Sequence, residues 1–325
     1  MIRNFALSLV SALFMPLVVQ AKDIRLGMVG LDTGHVIAFT KILHDSTLKD
    51  HIPGARVVGA VKTGSPDIPS SWSKVDAYTE QLRKEFGVTI YPSIEELVKH
   101  VDAVLIESVD GRPHLAQAKT VILAGKPLYI EKPLGATLKD GLEIFALAKK
   151  HHVPVFSSSA LRFARETQAV RHGKVGKVLS AETSSPAKLE PHHQDLFWYG
   201  VHGVESLFTV MGTGVETVTR KSSTPDAKVV EGRWQGGRMG VFREAKYGGK
   251  AVGEKGTAEI GQYDGYAPLV AAIVTFLQTG VSPVPEQETI EILAFMEADF
   301  LSKERGGVPV AISEVMARAG GKAVK

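Results

Sequence analysis

The segment Gly27-Met28-Val29-Gly30-Leu31-Asp32-Thr33-Gly34-His35 closes a short apolar strand and leads into a helical pattern. Glycines at such a strand-to-helix turn let the backbone approach a pyrophosphate, and the helix N-terminus beyond offers free N–H groups. The spacing departs from a regular G-x-G-x-x-G: counted from Gly30, Asp32 and His35 stand where glycines would. Asp32 would repel a pyrophosphate unless it turns away, and a plain glycine turn with Asp32 or Thr33 as helix cap is the competing reading. In a dinucleotide fold the second strand ends in an acid that holds the adenosine ribose. Here Val61 is followed by Lys62-Thr63-Gly64-Ser65. A lysine among hydroxyls suits a ribose 2′-phosphate, so NAD and NADP both stay open, and Lys62 as a merely solvated side chain is as good an account.

Glu131-Lys132-Pro133 stands just past another strand, where active sites of open parallel sheets lie. A lysine there can donate to a substrate oxygen. Farther on, His192-His193, Asp195 and His202 gather within one segment around Phe197, Trp198 and Tyr199. No H-x-x-x-H or H-E-x-x-H spacing is present, so no metal is expected. The histidines and aromatic rings suit contact with a sugar ring instead, or a buried helix start. Arg162 lines a site or holds a domain junction, and His114 opens a helix near the nucleotide end.

These residues must be positioned by alternating elements. Short β-branched runs at Ile24–Val29, Ala55–Val61, Val88–Tyr91, Ala103–Ile106, Leu128–Ile130 and Val155–Ser157 are separated by helical periodicity, with a long loop expected over Thr63–Ser73. Such alternation predicts an α/β domain with a doubly wound parallel sheet over residues 22–158. From 159 to 325 the pattern changes to strands joined by turns, with helices over Leu269–Thr279 and Glu286–Glu304. This predicts an α+β domain on an open-faced, mostly antiparallel sheet.

Composition narrows the classes. The chain has 325 residues, enough for two cores, and no cysteine, which removes disulfides and thiolate chemistry. A net charge of +3, dispersed along the chain, gives no nucleic-acid footprint. Residues 1–21 read as a secretory signal peptide: Arg3, an apolar run from Phe5 to Val19, then Val19-Gln20-Ala21. The run is about 15 residues, short of the ~20 a bilayer span needs. The expected location is therefore secreted, in a bacterial periplasm, with no membrane association after cleavage.

Gly27-x-x-Gly30, Ala124-Gly125-Lys126-Pro127, Glu131-Lys132-Pro133-Leu134 and Leu161-Arg162-Phe163 occur in register. Together they resemble the Gfo/Idh/MocA family, relatives of glucose–fructose oxidoreductase and inositol dehydrogenase. The resemblance implies a Rossmann domain followed by an open-faced sheet domain, a nicotinamide cofactor, and sugar, cyclitol or polyol substrates. It also implies homo-oligomers joined through the second sheet. It makes Lys132 and His202 the catalytic pair. With the residue readings above, Gly27, Gly30, Asp32, Thr33, Gly34, His35, Lys62 and Glu131 are expected toward the cofactor, and Arg162, His193, Trp198 and Tyr199 toward the substrate. The family's Asp-x-x-x-His is altered, because Trp198 stands where the aspartate belongs; Asp195 and Glu205 are the nearby acids that would substitute. The expected activity is NAD(P)-dependent oxidation of a polyol. The alternatives are a lyase or hydrolase that recycles its cofactor in place, and a sugar-binding relative without turnover.

Overall fold

A computed structural model describes residues 22–224 and 227–321; the signal-peptide segment lies outside these residues. Six strands form the first sheet: β1 (Ile24–Val29), β2 (Ala55–Val61), β3 (Thr89–Tyr91), β4 (Ala103–Ile106), β5 (Leu128–Glu131) and β6 (Val155–Ser158). Their spatial order is β3-β2-β1-β4-β5-β6, and every pairing is parallel. This is the doubly wound dinucleotide-binding order, whose direction of winding reverses between β1 and β4. Both faces are covered, so β4, β5 and β6 are buried at every residue, as a parallel sheet requires.

The connecting helices follow from local chemistry. α1 (His35–His44) buries Val36, Phe39, Thr40, Ile42 and Leu43 on one stripe. α2 (Pro69–Phe86) begins inside the segment expected as a loop, because Pro69 occupies the first helical turn, where its missing N–H costs nothing. α3 (Ile94–Leu97) is capped by Ser93, whose hydroxyl accepts from Glu96 N–H at 3.3 Å. α4 (His114–Leu123) and α5 (Leu138–His151) complete the layers; Thr137 caps α5, and Lys149, Lys150 and His151 sit at its negative C-terminal end.

A short 3₁₀ turn (Ala160–Phe163) and α6 (Arg165–Arg171) lead into the second sheet. Its strands are β7 (Val178–Ser185), β8 (Val215–Thr224), β9 (Ala227–Trp234), β10 (Met239–Glu244), β11 (Gly248–Gly253), β12 (Gly256–Glu259) and β13 (Val310–Ala311). The order is β12-β11-β7-β10-β9-β8-β13, antiparallel except for β10 beside β7. Three of the six residues of β11 are glycine, so its own sequence carries little strand signal; its pairing with β7 and β12 makes it a strand. α7 (Val201–Met211) and α9 (Glu286–Glu304) cover one face, where Trp234 packs with Phe208 and Phe295. α10 (Ile312–Arg318) is the last helix among the described residues.

One helix crosses back. α8 (Ala267–Thr279) puts Leu269, Val270, Ile273, Val274 and Phe276 into the core that contains Leu26 and Met28 of β1 and Phe39 of α1. Phe276 meets Phe156 edge-on at 4.8 Å. Residues 159–325 therefore supply the second sheet and also part of the first domain's cover.

Candidate active site

The carboxyl ends of β1, β5 and β6 open into a cavity of about 360 Å3, the place where ligands bind in open α/β sheets. One wall is the loop that opens α1: Asp32, Thr33, Gly34 and His35. The opposite wall carries Lys132, Ser159, Tyr199 and His202, with Tyr247, Tyr263 and Tyr266 at the rim. Tyr199 sits in a single π turn, Leu196–Gly200, that runs straight into α7 and presents His202 beside it, ring centroids 5.2 Å apart. Such π turns recur at functional sites.

His202 is buried. Burial, and then the nearby Lys132 ammonium, hold its pKa well below the usual histidine value, so at neutral pH it is the free imidazole that a general base must be. Its Nδ1 lies 2.8 Å from Ser159 Oγ. Ser159 Oγ already accepts Leu161 N–H at 3.2 Å. If it also accepts Nδ1–H of His202, the Nε2 lone pair is left free. Asp195 and Glu205 do not take the place of the missing aspartate. Asp195 is held by Arg220 at 3.2 Å and Lys303 at 3.0 Å, and Glu205 by Ser158 at 2.9 Å and by Arg162. The partner of His202 is a serine, which neither the spacing nor the family pattern marks. Lys132 Nζ lies 3.4 Å from Glu131 Oε1 and 5.9 Å from the Tyr199 ring centre.

The nucleotide loop resolves the question of Asp32. Its carboxylate is 1 % exposed and turned inward, accepting from Ser71 Oγ at 2.6 Å and Val109 N–H at 3.0 Å. Burial pushes this carboxyl up from its ordinary value, and both of its oxygens are engaged within the protein. Gly30 has φ +85°, and a Cβ there would fall 2.4 Å from Ser108 N; this glycine is required by the fold. Gly34 is different: a Cβ there would meet only Tyr78 Oη, at 3.9 Å. No side chain caps α1, although Thr33 Oγ1 accepts from His35 N–H at 3.2 Å. Lys74 of α2, which the sequence did not single out, lines the same cavity. An uncapped helix start, an open glycine and a lysine fit a pyrophosphate.

A second cavity of about 500 Å3 opens past β2 and β4, lined by Thr63, Gly64, Ser65, Asp67, Asp110 and Arg112. Arg112 is committed to Asp67 (2.8 and 2.9 Å) and to Asp110 (2.7 Å). Although burial opposes it, hydrogen bonds from His193, Arg112 and Ser65 hold the Asp110 carboxyl well below its usual range. Two carboxylates against one guanidinium leave this wall net negative. Lys62 lines neither cavity; it pairs with Asp76 at 2.6 Å on the exposed side of α2. The reading of Lys62 as a 2′-phosphate ligand has no support in its position.

Five further candidates lie off the main cavity. Gly27 lies within β1, where a Cβ would meet Leu97 at 2.9 Å. Arg162 is fully buried between Glu205 and Glu288, at the junction of the domains. His193 reaches across to Asp110, 3.0 Å away, beside the second cavity, and Trp198 packs on His193 at 5.0 Å. His114 is buried against the Ser108 and Pro133 carbonyls, at 2.9 and 3.0 Å, a structural post. The histidines considered for zinc are thus dispersed. By contrast, His35 meets Glu131 at 3.0 Å and Glu107 at 3.6 Å. Glu107 ends β4 in a wholly apolar strand context and was not singled out from the sequence.

Fold and site together define a nucleotide-binding α/β protein with a lysine–histidine pair. Residues 24–159 match the model of the Gfo/Idh/MocA group, described as "Oxidoreductase family, NAD-binding Rossmann fold". Over 145 residues the chain is 31% identical to the 1,5-anhydro-D-fructose reductase of Ensifer adhaerens, covering 42% of this chain and 43% of the relative. Over 161 residues it is 27% identical to an uncharacterised oxidoreductase of Escherichia coli (strain K12), covering 44% and 47%. The chain thus spans less than half the length of the curated relatives it matches. Among solved structures, a "probable dehydrogenase" from Thermotoga maritima superposes with a TM-score of 0.74 at 20% identity, over 90% of this chain and 100% of the other. The scyllo-inositol dehydrogenase of Lactobacillus casei, with bound NAD(H) and scyllo-inositol, gives 0.70 at 17% identity, over 90% and 99%. At these identities the structures show that the fold is shared across both domains.

Proposed function

We propose that the protein is a nicotinamide-dependent oxidoreductase acting on a hydroxyl group of a sugar, cyclitol or related polyol. The observation that carries the reading is the convergence of Lys132 and His202 on one wall of a cavity whose other wall is an open, uncapped helix start. Val109, Gly34 and Lys74 would flank the pyrophosphate, and the second cavity would take the adenosine. Its negative wall suits ribose hydroxyls and disfavours a 2′-phosphate, which favours NAD over NADP. When bound, the nicotinamide supplies the hydride acceptor.

The side chains do the rest. His202, kept neutral by partial desolvation and the nearby Lys132, takes the proton of the substrate hydroxyl. Ser159 holds the imidazole in place. Lys132 lies close enough to stabilise the alkoxide as it forms. The tyrosines at the rim give a ring-shaped substrate flat faces to lie on. Homo-oligomers would form through the second sheet. Its uncovered face carries Val229, Val241 and the Arg243–Glu182 pair, all only partly buried or exposed, which leaves a flat surface for a second copy.

The test is direct. The purified protein is denatured, released nucleotide is identified by mass, and the emptied protein is titrated with NADH and NADPH by fluorescence. Binding of NADH, followed by polyol-dependent absorbance at 340 nm, supports the reading. Product without net reduction would replace it with a cofactor-recycling lyase or hydrolase, and failure to bind either nucleotide would overturn it.

A further inference from the structure

We propose that His35, Glu107 and Glu131 form a site for one divalent first-row transition-metal ion at the inner wall of the cavity. Their donor atoms all lie within 4.8 Å of one another. His35 Nδ1 is 3.0 Å from Glu131 Oε2 and 3.6 Å from Glu107 Oε2. Donors bound at about 2.1 Å to one ion stand roughly 3.0–3.5 Å apart at octahedral or tetrahedral angles, so the spacing needs only a small adjustment.

A second observation points to a missing cation. Glu107 is fully buried, yet neither of its carboxylate oxygens accepts a hydrogen bond; Glu131 Oε1 is likewise buried and without one. Buried polar groups are nearly always satisfied, and each exception asks for a cause. Lys132 Nζ, 3.4 Å from Glu131 Oε1, neutralises part of the charge on that side, but among the described residues no cation reaches Glu107 other than His35. A metal would displace the proton that the two carboxylates hold on His35; the imidazole ligand is then neutral and the three groups carry −2, the charge a divalent ion cancels.

The ligands are also held in place. The His35 ring stacks on Phe39 at 5.2 Å and meets the edge of Tyr266 at 4.7 Å, which keeps Nδ1 toward the carboxylates. Tyr129 Oη stands 3.4 Å from Glu131 Oε2 while donating to the Ser158 carbonyl at 2.9 Å. Such outer partners orient metal ligands. One nitrogen and two oxygens suit Mn2+, Fe2+ or Zn2+, whereas Ca2+ wants six to eight oxygens. Three protein ligands leave positions free, and His35 and Glu131 belong to the cavity wall. A substrate oxygen beside Lys132 is then within reach of the ion. The site stands on these side chains alone and does not depend on nucleotide binding.

The test uses the chelator-stripped protein without nucleotide, titrated with Co2+ by visible absorbance and with Zn2+ and Mn2+ by calorimetry. One ion per chain with micromolar or tighter affinity is expected. Glu107→Gln and His35→Asn should each weaken it at least 100-fold with little change in thermal midpoint, and His193→Asn should leave it unchanged. No binding of any of the three metals, or binding that survives both ligand variants, overturns the proposal; Glu107 and Glu131 would then be sharing a proton. If a variant fails to fold, anomalous scattering from a Co2+-soaked crystal of the unaltered protein decides. A peak among the three side chains supports the site, and its absence there overturns it.

Discussion

A serine holding a histidine is a weaker arrangement than a carboxylate doing so, because a hydroxyl can either donate or accept and fixes the tautomer only through its other bonds. In this protein Leu161 N–H supplies that second bond to Ser159. His202→Ala and Lys132→Ala are each expected to lower kcat for the polyol by roughly 10²–10⁴, as the loss of a general base or of alkoxide stabilisation does. Ser159→Ala should cost less, about 10-fold, and should fall on kcat with KM little changed, since the residue orients His202 without touching substrate. Steady-state kinetics of the three variants checks this. A Ser159→Ala enzyme with unaltered kcat would remove the positioning role.

At the scale of elements, the loop between β1 and α1 separates two glycines that look alike in sequence. Gly30→Ala should destabilise the protein by roughly 3 kcal/mol or more, because left-handed backbone strain adds to a clash with Ser108. Gly34→Ala should leave the thermal midpoint within a few degrees and weaken NADH binding at least 10-fold, since the added methyl enters the space where a nucleotide would approach. Melting curves and nucleotide titrations of the pair separate fold from function. His44, at the end of α1, gives a pH effect. Its Nε2 accepts Val57 N–H at 3.1 Å, which only the unprotonated ring can do. Burial, and then Arg56, bring its pKa down to about 4. The fold therefore prefers neutral His44: the contribution is complete above about pH 6.5, where the unfolded histidine is also neutral, and is lost as pH falls toward 4. After discounting for its partial exposure it amounts to on the order of 1–2 kcal/mol. Urea midpoints at pH 7 and pH 4.5 should show a smaller drop in His44→Ala than in the parent.

Across the whole molecule, α8 and the Ser158–Glu205 hydrogen bond join the two sheets, and a buried charge cluster lies beside that junction. Arg162 bridges Glu205 and Glu288, and Arg171 meets Glu288 at 3.1 Å. Arg162→Met would strand two glutamates in the interior and should cost roughly 3–5 kcal/mol, measured as a lowered urea midpoint. Association through the open sheet face should appear as a dimer or larger species in light scattering, reduced to monomer by Val241→Lys. A monomer at all concentrations in the unaltered protein would exclude that interface.

Local patterns in the sequence were enough for the parallel sheet and for the helices over 269–279 and 286–304, because hydrophobic periodicity is a property of neighbours along the chain. The glycine-rich β11 and the early start of α2 escaped them: one strand is made by its ladder, and one helix begins where Ile68-Pro69 allows. Which acid faces which base was decided only in three dimensions. Asp32 turns inward because Ser71 and Val109, distant in sequence, offer it hydrogen bonds. Lys62 is drawn to Asp76, Ser159 replaces the expected aspartate, and Glu107 joins His35 and Glu131 at the ends of three adjacent strands. The return of α8 to the first core has the same origin. Contacts between residues tens to hundreds of positions apart depend on how parallel strands and their crossovers stack, and no spacing within a local segment encodes that.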